Sequence, residues 1–198
     1  MGRPQNTQQR KQEIVSALLR VMAEHGYEKA SVQVIAKEAG LAPGLIHYHF
    51  KTKQDILLAL VNWIASSATE RFQKMESDIN APWDKLETFV KARLETGDTQ
   101  MPEVVSAWVV IAGESLRQPE VKKIYQDLIN HQLKMLEKMI ADVWAGKSKE
   151  DKDVIHLSAI VMAAMEGAFQ LSATASEVMP TNYASSSVLA LIKNQIKN

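Results

Sequence analysis

GLAPGLIHYHFKTKQDILLAL, Gly40 to Leu60, places loop punctuation directly against helical spacing. Gly40, Ala42, Pro43 and Gly44 open the stretch. Two histidines then flank one tyrosine, and an apolar run follows. A proline is tolerated in the first turn of a helix, where its missing N–H has no partner anyway. Pro43 therefore starts a short helix, predicted over Pro43–Phe50. Ile46 and Phe50 are four apart and anchor it on one side. His47 and Tyr48 then face elsewhere. Thr52-Lys53-Gln54-Asp55 has the form of a capping box with Asp in place of Glu. It opens a long helix expected to run to about Glu76.

Working upstream, Ile14, Ala17, Leu18, Val21 and Met22 share one face of a first helix that stops at Gly26. Ser31 is placed to cap a second, Val32–Glu38, with Ile35 and Ala39 as its apolar contacts and Gly40 as its end. Two short helices joined by a tight Gly-containing turn make a helix-turn-helix, here over about residues 31–50. The second helix of such a unit enters the major groove with its first residues against base edges. Bulk is penalised there, and Pro43-Gly44 supplies none. The exposed N–H groups of the helix start also favour phosphate.

Downstream, helices are predicted at Trp83–Glu95, Pro102–Leu116, Pro119–Trp144, Glu150–Ala175 and Tyr183–Lys197. Gly97-Asp98, Pro102, Gln118-Pro119, Gly146-Lys147-Ser148 and Pro180 punctuate them. No stretch alternates with period two. The expectation is an all-α chain of about nine helices. A three-helix head at residues 1–52 joins, through the long helix, a larger helical bundle at residues 53–198.

The 198 residues include no cysteine, which excludes disulfides, zinc fingers and thiol catalysis. Net charge is zero, yet residues 1–55 hold eight basic against five acidic side chains, and the remainder is acidic. That asymmetry suits an anionic partner at one end only. MGRPQNTQQRKQ is too polar for a signal peptide, and Ile56–Val61 and Leu157–Met165 are broken by Asn62 and Glu166. The chain reads as soluble and cytoplasmic, without a membrane span.

SVQVIAKEAGLAPGLIHYHFKTKQDIL, Ser31 to Leu57, closely resembles the DNA-binding signature of the TetR family of bacterial transcriptional regulators. The likeness rests on Ile35-Ala36, Ala39-Gly40, Gly44, His49-Phe50, Lys53 and Leu57, with Ile14 to Gly26-Tyr27 fitting the family's first helix. The AWVVIAGESLRQPEV region is loosely similar to the branch of choline-responsive repressors. Ala42 stands where the family usually has Ser or Thr, and His47 where it commonly has Tyr. The missing cap hydrogen bond is typically worth ~1 kcal/mol, which Pro43 partly offsets by pre-setting φ.

The resemblance implies a homodimeric, ligand-responsive regulator, a repressor released from a palindromic operator by a small-molecule inducer. An activator of the same fold, or a helical protein-binding adaptor, are the alternatives. The expected DNA contacts are Pro43, Gly44, Leu45, His47 and Tyr48 from the recognition helix, with Arg3, Arg10, Gln33 and Lys53 on phosphates. An effector cavity in the bundle would be lined by Trp63, Phe89, Trp108, Glu114, Met135, Met165 and Phe169, which are flat, adaptable or acidic groups in apolar helices. Ordinary core packing explains the apolar ones equally well. Small residues in Leu157–Phe169 permit close helix approach, so the dimer interface is expected over about residues 153–197. No cofactor is expected. His47 and His49 at i, i+2 do not share a helix face, which argues against a metal. The five histidines have no nucleophile motif nearby, which argues against an enzyme.

Overall fold

A computed structural model describes residues 3–95, 102–146 and 150–197. Gly97-Asp98 and Lys147-Ser148 lie outside the described residues. All regular structure among those described is helical: α1 Arg3–Lys29, α2 Val32–Ala39, α3 Pro43–His49, α4 Lys53–Glu76, α5 Pro82–Leu94, α6 Pro102–Glu114, α7 Pro119–Val143, α8 Asp151–Thr174 and α9 Tyr183–Lys197. One 3-10 turn, Ser176–Val178, precedes α9 and was not foreseen. The all-α expectation holds, and α2 to α9 begin and end within about two residues of their sequence signals, whereas α1 continues past Gly26 to Lys29.

The local reasons are visible in the backbone. Gly26 breaks the helical path of α1 with φ 76° and ψ 167°, a conformation that side chains other than hydrogen disfavour. Ser31 Oγ accepts the Val34 N–H, and Gly40 closes α2 in the left-handed region. The Thr52 hydroxyl accepts the Asp55 N–H at 3.1 Å while the Asp55 carboxylate accepts the Thr52 N–H at 2.9 Å, the reciprocal box read from the sequence. Glu150 and Asp153 form a second such box at the start of α8.

The chain forms two compact units, and their limits differ from the boundary drawn at residue 52. The first comprises residues 1–65 and 101–126, the second residues 66–100 and 127–198. In the first unit α1 packs on α2, α3 and α6. Its fully buried side chains include Ile14, Leu18, Met22, Ile35, Ile46, Leu57, Leu60 and Ile111. Ala36, rather than Ala39, is the second buried contact of α2. In the second unit α5, α8 and α9 pack together. Its core holds Phe72, Leu86, Phe89, Leu136, Ile140, Val161, Met165 and Ile192, with the Phe72 and Phe89 rings edge to face at 5.5 Å.

Helix α8 corrects one expectation. Its 24 residues are long and apolar enough, by length and composition alone, to cross a membrane, with Glu166 inside the helix rather than ending it. Leu157, Val161, Met165 and Ala168 turn one side of it into the core. Ile155, Ile160 and Leu171 remain exposed: at ~100° per residue Ile155 flanks the buried stripe on one edge, and Ile160 and Leu171 flank it on the other. The helix thus carries apolar side chains beyond the stripe that is covered among the described residues.

Candidate nucleic-acid interface and effector site

Helix α3 has seven residues, and Ile46 is the one buried among them. Phe50, at its C-terminal cap, is also buried, and the Lys11 ammonium lies 5.8 Å from its ring centre. These two residues fix the helix, as their spacing predicted. Pro43, Gly44, His47 and Tyr48 are exposed, and Leu45 is half-buried. Tyr48 is 76% exposed, an unusual state for a large aromatic side chain in a packed head. Its ring meets that of His49 edge-on at 5.0 Å. At the N-terminal cap, Ala42 supplies no side-chain hydrogen bond, Pro43 has no N–H, and the Leu45 N–H donates to the Ala42 carbonyl oxygen at 2.9 Å.

Gln33 is exposed near the start of α2. Arg10 is half-exposed and engaged with Glu13 at 2.7 Å, an i, i+3 pair within α1. The Arg3 side chain lies outside the described residues.

Lys53, expected on a phosphate, has a different engagement here. Its ammonium donates to the Tyr27 carbonyl oxygen at 3.0 Å and lies 4.0 Å from the centre of the Tyr27 ring. Burial holds it below its usual pKa, with Glu114 and Glu28 opposing that shift. It ties the start of α4 to the end of α1 and is turned into the head. Tyr27 itself is buried and its hydroxyl has no hydrogen-bond partner. Burial, then the charge of Glu114, pushes its pKa up to about 12.

Tyr27→Phe is therefore expected to match or exceed the wild type in stability at neutral pH, by up to about 1 kcal/mol, because an unanswered buried hydroxyl is removed. The folded pKa is raised, so the wild type keeps its stability below the ordinary tyrosine pKa of 10.0 and loses it as pH rises toward about 12. Denaturant titrations at about pH 8 and about pH 11 should show the variant's advantage widening. An advantage that stays constant would remove Tyr27 from the alkaline response.

The seven effector candidates do not form one constellation in either unit. Trp63, Trp108 and Glu114 belong to the first, and Phe89, Met135, Met165 and Phe169 to the second. Phe89 and Met165 are core side chains, and Met135 packs against the same core. Trp108 is buried against the Tyr125 ring at 5.2 Å. Glu114 is buried and accepts a hydrogen bond from the Gln118 side chain at 2.7 Å, and Gln118 in turn accepts one from Gln54 at 3.3 Å. Its place in the head is thus as an internal partner of α4 and the α6–α7 turn.

Sequence reasoning missed Arg93. It is 4% exposed on α5, and its guanidinium carbon lies 3.7 Å from the centre of the Phe89 ring. The signal was present: Leu86, Phe89, Val90 and Arg93 follow i, i+3, i+4, i+7 spacing, so an arginine occupies a position in the inward stripe. Arg71 of α4, half-buried, donates from its Nε to the Ala92 carbonyl oxygen at 3.3 Å.

Comparison with known proteins adds the following. A profile described as "Bacterial regulatory proteins, tetR family" matches residues 14–60, and one described as "BetI-type transcriptional repressor, C-terminal" matches residues 82–197. The fatty acid metabolism regulator protein of Bacillus subtilis is 28% identical over 147 residues, 72% of each chain. The HTH-type transcriptional regulator BetI of Agrobacterium fabrum is 28% identical over 115 residues, 58% of this chain and 55% of that one. The chain thus matches little more than half the length of that BetI relative. Among solved structures, a putative transcriptional regulator from Saccharomonospora viridis in complex with choline superposes with a TM-score of 0.77 at 22% identity, covering 95% of each chain. The regulator FadR from Bacillus subtilis in complex with stearoyl-CoA gives 0.76 at 23%, covering 91% of this chain and 96% of that one. At these identities the two structures share the fold.

Proposed function

Because the chain belongs to the TetR family of bacterial transcriptional regulators, whose members are not enzymes, we propose that it is a cytoplasmic, homodimeric repressor that leaves its operator when a small molecule binds its C-terminal part. The observation that carries the reading is the surface of α3. Its anchor side is buried at Ile46 and Phe50, while the bulk-free start at Pro43-Gly44 and the side chains of His47 and Tyr48 remain available to a groove. His47 and Tyr48 would meet base edges or phosphates, and Gln33 and Arg10 would hold the flanking backbone.

A second copy is the natural cover for the outward side of α8. Ile160 and Leu171, which share one edge of it, would pair with the neighbouring surface of α9 across a two-fold axis. Two heads would then meet a palindrome with recognition helices ~34 Å apart, one turn of DNA. An effector acts only through a difference in affinity for the DNA-bound and released states, typically worth about 1–3 kcal/mol.

The test is a gel shift with DNA from upstream of the protein's own gene, run beside sedimentation of the unbound protein. A specific shift by a species of twice the chain mass is expected. A monomer that shifts no upstream fragment would sink the proposal.

A further inference from the structure

The interior of the second unit contains a cation whose N–H groups are only partly answered among the described residues. Arg93 Nε and Nη1 are buried without a hydrogen-bond acceptor. Arg71 lies near enough to repel it, and Glu166 of α8 is the one opposing charge that acts on it. Neither orphaned N–H donates to the Glu166 carboxylate. Burial, then Arg71, lowers the Arg93 pKa to about 10 despite Glu166. The face of the guanidinium rests on Phe89, which leaves its N–H edge as the direction of binding.

Folded proteins leave few buried donors unanswered, and each such group calls for a specific explanation. An ionised donor is the costliest kind, because removing it from water is offset only by good pairing. Water at this point would accept the N–H groups but leave the charge unneutralised. An oxyanion does both, because one of its oxygens can accept from an orphaned N–H and carry the opposite charge. Two guanidinium groups against one carboxylate also disfavour a cation. The residues involved, Arg71, Phe89, Arg93 and Glu166, all lie in the second unit.

We propose that Arg93, with Arg71 beside it, receives the oxyanion head of the effector, so that the regulator answers to a carboxylated or phosphorylated molecule and not to a quaternary ammonium. This rests on the reading of the chain as an effector-controlled repressor, and it names the chemical class of that effector.

The experiment uses the full chain with three probes: sodium octanoate, inorganic phosphate and choline chloride. Melting temperature and calorimetric titration are followed for the wild type, Arg93→Met and Arg93→Lys. Octanoate or phosphate is expected to bind and to raise the melting temperature, and choline to do neither. Whichever anion acts identifies the head as carboxylate or phosphate. Arg93→Met should weaken that binding roughly tenfold or more, the loss of at least one charged hydrogen bond, while Arg93→Lys retains part of it. Without probe, Arg93→Met should melt at the same temperature or a few degrees higher, because an uncompensated buried charge is gone. Three results would overturn the inference: binding of choline with neither anion, anion binding unchanged in Arg93→Met, or a melting temperature for that variant several degrees below the wild type. A wild type that binds the anion but no operator DNA would overturn the repressor reading and leave the anion site standing.

Discussion

Truncating Ile46 to alanine is expected to lower folding stability by ~2–5 kcal/mol, the range for removing a large aliphatic side chain from a packed interior. Three features push the expectation above the minimum. Ile46 is fully buried, and it is the sole buried side chain of α3. The helix has seven residues, far too few to persist by its own propensity, so its packing holds it. Its N-terminal cap is Ala42, which contributes no side-chain hydrogen bond that might have compensated. At ~2–4 °C per kcal/mol for a chain of this size, the melting temperature should fall by roughly 5 °C or more. Amide exchange across α3 should accelerate beyond that of α1. A melting temperature within a degree of the wild type would mean that Phe50 alone seats the helix.

The neighbouring substitution has the opposite signature. Tyr48→Ala should leave the melting temperature unchanged, because three quarters of the residue is already in solvent. Its effect belongs to the complex with DNA. A side chain that touches base edges is typically worth about 1–3 kcal/mol, a weakening of roughly 5- to 150-fold in operator affinity. Fluorescence anisotropy with operator and with a scrambled duplex separates the possibilities. Loss confined to the operator marks a base contact, and equal loss on both marks a phosphate contact. Unaltered affinity for both would remove Tyr48 from the interface. Two residues apart on one short helix, Ile46 and Tyr48 thus divide folding from recognition.

Much of this was legible in the chain because its signals are local. Ser31 and Gly40 bound α2, and Thr52 and Asp55 begin α4, through contacts between residues no more than four apart. The anchor of α3 was legible for the same reason. What escaped depends on contacts far apart in sequence or on what lies across a helix. Lys53 finds Tyr27, 26 positions away, so its type and its closeness to α3 pointed it at phosphate while the folded head turned it inward. Glu114 was offered as an effector contact because it interrupts an apolar run, and the structure supplies a neighbour, Gln118, that satisfies it. For Phe89 and Met165, spacing could not separate lining a cavity from filling a core, and the structure has them in the core. Arg93 sat in plain view within the inward stripe of α5, but the eye follows apolar residues when tracing such a stripe.

Helix α8 keeps grease exposed beside the stripe that it buries. With a second copy as the cover, abundance becomes a component of the fold. On the proposed pairing, a newly made polypeptide would meet the crowded cell with that surface wet, open to clumping and to proteases until a sibling arrived. A cell that kept too few copies would therefore forfeit more than control of its genes, because the survivors would be short-lived.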